Sequence, residues 1–566
     1  MDHVGVTRVS RRSFFRRAAA VGAVGAGLAT QAFAQSMQPA PSRMPLAQDE
    51  LAPLPFVHGV ASGDPLPDAV VIWTRVTPDE YAWPGSGRGS PTPLRWEVAQ
   101  DQEFTRIVRE GHVVARVGRD HGVHVDVDKL EPSSVYYYRF VVTAGPHEGA
   151  TSPVGRTKTA PEGPVELQRW AVASCANYEA GFFAAYRDMA ERAWDNELDL
   201  TVFLGDYIYE YAQGEYSGWG PVRLHEPAHE TLTLADYRAR YGRYRTDRDL
   251  QAAHAAMPWI VVWDDHEVAN NFWAEGADNH QVEEGDFLER RDAAIRAYYE
   301  WMPVRTTEPS AEGHIYRSFR FGDLVELTVM DLRTYRDVEF WKGGRRQPGD
   351  ARSMLGAEQY NWLIDTLHES DTTWNALGNS VMFSPMRLGA VMQSPKTRPV
   401  AAALSSNILT ATAPAYEHLP LNGDQWDGFD FERRRVINTL GRLGKNPIFL
   451  TGDIHSEWAH TISYEGEQIG CEVVCASITA PNVAESLKVP GSSTLINAAT
   501  RYIRAANPSL HHVAMATHGY CAVTITPDAV HTNWRRVDDI LNPHSAVSPG
   551  TSLTWRRGSG FTPVPD

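Results

Sequence analysis

The chain has 566 residues, a formal net charge of −17 at pH 7, 22% charged residues and 43% hydrophobic ones. That length exceeds one core, so at least two domains are expected, and the composition speaks against a disordered or membrane-embedded chain. The acidic excess also speaks against a nucleic-acid-binding domain, which would present a basic stripe.

Residues 1–34 read as an export address. Ser10-Arg11-Arg12-Ser13-Phe14-Phe15-Arg16 fits the twin-arginine pattern, the weakly apolar Ala18–Ala34 follows, and Ala32-Phe33-Ala34 is an A-x-A cleavage site. This predicts a partnership with the Tat export machinery and a folded protein in the periplasm or outside the cell. A stretch so rich in Gly and Ala predicts no retained transmembrane anchor. Cleavage would remove five Arg and one Asp and leave a mature charge of −21. Residues 35–55 read as a linker.

From Phe56 to about residue 160 the pattern is all-β. Short runs at Val70–Val76, Leu94–Ala99, Gly111–Val117, Val123–Val127 and Val135–Ala144 are separated by Gly, Pro and Asp turns, which suits a β-sandwich. Leu130-Glu131-Pro132, followed by Tyr136, resembles the corner of fibronectin III domains, with Tyr136 expected to bond back to the turn. Ala160–Pro164 looks like a second linker. Residues 165–541 then alternate strands with helices, as a sheet core flanked by helices requires. Helices are expected at Phe182–Trp194, Gly285–Trp301, Ala357–His368 and Gly428–Leu443. Residues 542–566, rich in Pro, Gly and Ser, are expected to wrap the surface as a tail. The four cysteines do not form a disulfide scaffold. Cys471 and Cys475 would stand about 13 Å apart on one strand, and a Cys475–Cys521 bridge stays open.

Four clusters follow strand-like apolar runs: Ser174-Cys175-Ala176-Asn177, Gly205-Asp206-Tyr207-Ile208-Tyr209, Asp264-Asp265-His266-Glu267 and Gly452-Asp453-Ile454-His455. Carboxylates and a His at strand ends are what a polymetal hydrolase needs, because ligands far apart in sequence must converge at one sheet edge. Asp206 is placed where its oxygens can bridge two cations. The consecutive acids Asp264 and Asp265 repel each other, a cost that a cation relieves. His266 is placed to act as general acid or to hold a substrate oxygen. By contrast, His225-Glu226-Pro227-Ala228-His229 matches the H-E-x-x-H zinc-protease pattern only on paper, because Pro227 forbids the helix that the pattern requires.

In this order, with the leading β-domain and the twin-arginine leader, these clusters resemble those of the PhoD-type alkaline phosphatases, within the metallophosphatase superfamily. The resemblance implies a metallophosphatase-like α/β core, a β-sandwich flanked by helices behind a fibronectin III-like domain. It implies Fe(3+) and Ca(2+) as cofactors. Cys175, Asp206, Tyr209 and His455 would surround iron, while Asp206, Asp265 and Asp453 would hold calcium. Thiolate and phenolate suit ferric iron and carboxylates suit calcium. The implied reaction is hydrolysis of small phosphoesters by attack of a metal-activated oxide or hydroxide on phosphorus, with His266 catalytic. Asn177, Asn379 and Arg333 are candidates for substrate contacts; for Arg333 a structural Asp–Arg pair is an equal alternative. Two other readings stay open. One is a phosphodiesterase or phospholipase D-like hydrolase acting on phospholipids on the same scaffold. The other, from a different class, is an Fe–tyrosinate redox protein.

Overall fold

The computed structural model describes residues 52–305, 314–339, 351–387 and 422–564. The leader and most of the first linker lie outside them.

Strands β1 (Val60–Gly63), β2 (Val70–Arg75), β3 (Thr92–Ala99), β4 (Ile107–Ala115), β5 (Gly122–Val127), β6 (Val135–Val142) and β7 (Gly155–Lys158) come first. They are followed by β8 (Gln168–Ala173), α1 (Ala184–Trp194), β9 (Leu200–Leu204), α2 (Leu234–Tyr244), α3 (Arg248–Ala256), β10 (Trp259–Val262) and α4 (Phe287–Trp301). Next are β11 (Arg317–Phe321), β12 (Val325–Val329), α5 (Gly356–Glu369), β13 (Trp374–Asn379), α6 (Asp430–Arg442), β14 (Pro447–Thr451), β15 (Glu457–Tyr464) and β16 (Glu467–Val474). The chain closes with α7 (Thr494–Ala506), β17 (Leu510–Ala514), β18 (Gly519–Ile525), β19 (Ala529–Val537), β20 (Val547–Arg556) and β21 (Gly560–Pro563).

Two large sheets face each other. One has ten strands in the order β21-β20-β19-β18-β8-β9-β10-β1-β2-β5, the other seven in the order β11-β12-β13-β14-β16-β15-β17. Strands β8, β9 and β10 run parallel, as do β12, β13, β14 and β16. Strands β9, β10 and β14 read as nearly continuous apolar runs because both faces are covered. Between the sheets, Val172, Val202, Leu204 and Val262 share one core with Leu327, Val329, Ile448 and Leu450. Helices α5 and α6 cover the outer face of the second sheet through Leu363, Leu367, Val436 and Leu440. Helix α2 starts at a capping box in which Thr233 and Asp236 satisfy each other's backbone donors. Four expected helices and the main strands of the core stand where the periodicity put them. Helices α2, α3 and α7 were not anticipated.

Two expectations are corrected by the sheet order. The tail does not simply wrap the surface: residues 547–563 form β20 and β21 and complete the edge of the ten-stranded sheet. The leading β-unit packs β1, β2 and β5 against a four-stranded sheet β4-β3-β6-β7 through Val70, Ile72, Leu94, Val98, Tyr138 and Phe140. Strands β1, β2 and β5 continue the ten-stranded sheet, β1 pairing parallel with β10, so this sandwich shares a sheet with the core. At its corner Glu131 N–H donates to Tyr136 Oη at 2.9 Å, as expected. All four cysteines are free, so Cys475 and Cys521 are not bonded. Among the described residues, no helix is long and apolar enough to cross a membrane.

Candidate metal centre

The four clusters converge at the carboxyl ends of β8, β9, β10 and β14, where open α/β sheets place ligands. Sharp turns leave each strand. Cys175, Asp206, Asp453 and His455 all have left-handed backbones, with φ of 61°, 57°, 62° and 52°. Non-glycine residues held there cost on the order of 1 kcal/mol each and persist where the surroundings over-determine them. Neighbouring bonds do so: Cys175 N–H donates to Gly205 O at 3.1 Å and Ala176 N–H to Asp206 O at 2.8 Å. Gly205 is required because a Cβ there would stand 2.4 Å from the backbone nitrogen of Asp264. The bare glycine lets the β9 and β10 turns touch.

Ligand atoms of Cys175, Asp206 and His455 lie within 4.8 Å of one another, as do those of Asp206, Asp265 and His266, and those of Asp264, Asp265 and Asp453. Asp206 and Asp265 each belong to two groups, so the groups form one continuous row. Tyr209 Oη donates to Asp206 Oδ2 at 3.0 Å and lies 3.2 Å from His455 Nε2. His455 Nδ1 lies 2.9 Å from the carbonyl of Pro481. A carbonyl only accepts, so Nδ1 carries the proton and Nε2 turns its lone pair to the cluster.

This arrangement fits cations. Asp265 Oδ1 is buried and makes no hydrogen bond, its nearest cation being Arg333 Nη2 at 3.5 Å, while Oδ2 accepts from Asn271 N–H at 2.6 Å. Neither Asp206 nor Asp453 has a Lys or Arg salt-bridge partner among the described residues. Burial, then the neighbouring carboxylates, push Asp206 well above the usual carboxylate range, although His266 pulls the other way. Burial and Asp206 likewise hold the Cys175 thiol protonated. Buried carboxylates and a thiol this close become ionised together only when positive charge joins them.

His266 is oriented by a residue that sequence reasoning passed over. Its Nδ1 lies 2.7 Å from Glu210 Oε2, and Nε2 lies 4.0 Å from Asp265 Oδ2. Burial alone would lower the imidazole, but Asp265, Glu210 and Asp206 overcome it and push the group up to about 10. Glu267 is the second residue passed over. Its carboxylate accepts backbone N–H groups from Asp206 at 3.0 Å, Tyr207 at 2.6 Å and Asp264 at 2.8 Å, clamping two ligand turns together. The third is Asp424, held by Arg333 at 2.8 Å and Arg336 at 2.6 Å. Tyr216 stacks on Tyr209 with ring centroids 5.5 Å apart and reaches His455 Nδ1 at 3.4 Å. The Glu residues carried a faint signal, each sitting one residue after an expected site residue, Tyr209 and His266, but they bond to partners about 60 residues away.

Three expected substrate contacts are turned inward. Arg333 is fully buried, bidentate on Asp264 and bonded to Asp424, so its donors neutralise protein carboxylates and the structural alternative holds. Asn379 accepts from the indole of Trp426 at 2.8 Å and donates to Val381 O and Thr451 Oγ1. Asn177 accepts from Glu179 N–H at 3.1 Å and donates to Tyr216 O at 2.5 Å, pinning a loop. The amides of both asparagines are occupied within the protein. The H-E-x-x-H match lies outside any helix; His229 is exposed on Asp236, and His225 is buried near Glu179.

The sequence profile of the PhoD-like phosphatase family matches residues 170–534, and that of the PhoD-like phosphatase N-terminal domain matches residues 40–161. Alkaline phosphatase D of Bacillus subtilis (strain 168) is 39% identical over 519 residues, covering 89% of this chain and 81% of that protein. A solved structure of PhoD is 36% identical with a TM-score of 0.76, over 92% of this chain and 94% of that one. Purple acid phosphatase PPD1 from yellow lupin seeds superposes with a TM-score of 0.50 at 11% identity, over 88% and 74% of the two chains; that likeness concerns the fold alone.

Proposed function

This chain belongs to the PhoD-like phosphatase family and is a phosphoester hydrolase; we propose that it is an alkaline phosphatase of the D type, exported by the twin-arginine route, with an iron–calcium centre. The observation that carries the proposal is the row of three ligand groups joined through Asp206 and Asp265. Adjoining cations that share bridging carboxylates need this pattern.

In this reading Cys175, Asp206, Tyr209 and His455 hold iron, whose ferric form suits thiolate and phenolate. Asp206, Asp265 and Asp453 offer hard oxygens to calcium. Bound there, the ions supply Lewis acidity toward the phosphoryl oxygens and the attacking water. The chain's own groups do the remaining work. Glu210 holds Nδ1 of His266 and leaves Nε2 facing the carboxylate row. Its protonated imidazole is thereby placed to donate to the departing ester oxygen. Glu267 keeps the turns carrying Asp206 and Asp264 in register, and Arg333 and Arg336 balance Asp264 and Asp424. We further read residues 56–160 as a fibronectin III-like domain and residues 165–541 as the catalytic unit, a division that the two family matches support.

Small phosphomonoesters are the inferred substrates. Rates on a phosphomonoester, a bis-ester and phosphatidylcholine test this: the monoester should be turned over fastest. Diesters faster by orders of magnitude would replace it with the phosphodiesterase reading. Calcium removal should abolish hydrolysis, and hydrolysis that survives it would overturn the proposed centre. An Fe–tyrosinate redox role has no support in a phosphoester hydrolase.

A further inference from the structure

Cys175 Sγ lies 3.1 Å from Ser174 Oγ, and that same hydroxyl lies 3.4 Å from Cys475 Sγ. All three residues are buried, at no more than 1% exposure. Ser174 follows β8 in the ten-stranded sheet and Cys475 follows β16 in the other, so this hydroxyl joins the two sheets beside an expected ligand sulfur. Space for it depends on Gly452, where a Cβ would stand 2.6 Å from Ser174 Oγ. The backbone fixes both ends: Ile478 N–H donates to Ser174 O at 3.0 Å and Cys475 N–H to Thr451 O at 2.9 Å.

A hydroxyl donates one hydrogen bond and can accept two. While Cys175 is a thiol, its S–H donates to Ser174, whose own proton can point to Cys475. A thiolate has no proton to give, so the chain reverses: Ser174 O–H donates to Cys175, and Cys475 S–H donates to Ser174. We propose that Ser174 and Cys475 form a hydrogen-bond relay to Cys175 Sγ that sets the donor strength of that sulfur toward a metal. This rests on the reading of Cys175 as a ligand. Hydrogen bonds to a ligating sulfur withdraw charge from it, and such outer partners typically change metal affinity 10–100-fold. Both are positioning residues, acting through Cys175.

The test uses the full-length protein loaded with cobalt(II), whose thiolate-to-metal charge-transfer band reports sulfur ligation whichever metal is native. Ser174→Ala should move the band to lower energy and raise the rate of metal loss to a chelator by about tenfold or more. Cys475→Ala should act in the same direction, whereas Cys475→Ser keeps a donor and should restore the wild-type band. Cys521→Ala removes a buried thiol whose hydrogen bond goes to Val474 O, 3.9 Å away, and not to Ser174, and should leave the band unchanged. If Ser174→Ala fails to fold, the two Cys475 variants still decide the matter. A band unmoved by Cys475→Ala, or moved equally by Cys475→Ser and Cys475→Ala, would overturn the relay. A wild-type cobalt protein without the band would instead overturn Cys175 as a ligand.

Discussion

Glu267→Gln is the sharpest test of how the centre is held. One carboxylate oxygen accepts from Asp206 N–H and Asp264 N–H, and the other accepts from Tyr207 N–H at 2.6 Å. Glutamine keeps one acceptor oxygen. Its best orientation serves the Asp206–Asp264 pair and turns an NH2 group toward the Tyr207 donor. One buried donor is then left unpaired, and two bonds lose their ionic acceptor, which together cost about 2–4 kcal/mol. Glu267→Ala, with three unpaired donors, should cost more. Because the clamped turns carry Asp206, Asp264 and Asp265, metal affinity should fall by about 10–100-fold, and added metal should restore part of the activity. Denaturant unfolding, paired with metal titration of activity, measures both effects. Glu267→Gln within about 0.5 kcal/mol of wild type, the range of a neutral surface change, and with unchanged metal affinity would refute the clamp.

Other outcomes follow from the same geometry. Asp206→Ala should reduce turnover more than about 100-fold yet leave the melting temperature of the chelated protein unchanged or higher, since burial already disfavours that carboxylate; calorimetry on chelated protein checks this. Arg333→Met strands Asp264 in the interior and should cost about 3–5 kcal/mol, whereas a phosphate clamp would raise KM and leave the melting temperature intact. In metal-free protein, NMR should show His266 titrating near 10, with Glu210→Gln moving it down. A histidine raised in this way stabilises the fold fully below its unfolded pKa of about 6.5, and that contribution is lost as pH rises through about 10.

Parallel strands β9, β10 and β14 were legible because their burial on both faces leaves an apolar run, and the candidate ligands because Gly-Asp and Asp-Asp-His stand where such runs stop. Local grammar therefore located Asp206, Asp265 and His455. It could not locate Glu267 or Asp424, whose roles depend on donors about 60 and 90 residues away in sequence. For Asn177 and Asn379, whose amides bond within the protein, a polar residue at a strand end serves a ligand or a neighbouring loop equally well in sequence. Strands β20 and β21 were hidden because Ser, Thr, Gly and Pro satisfy an edge strand without the alternation that marks an inner one. Continuity of β1, β2 and β5 with the large sheet is a long-range pairing that no linker-like composition reveals.

Whether iron and calcium share this centre is decided by the metal content of protein produced in its native host, measured alongside activity. Iron and calcium should occur together in every active preparation, with hydrolysis lost when calcium is removed and iron retained. Full phosphoester hydrolysis by protein containing zinc alone, or containing iron with no dependence on calcium, would contradict a shared centre.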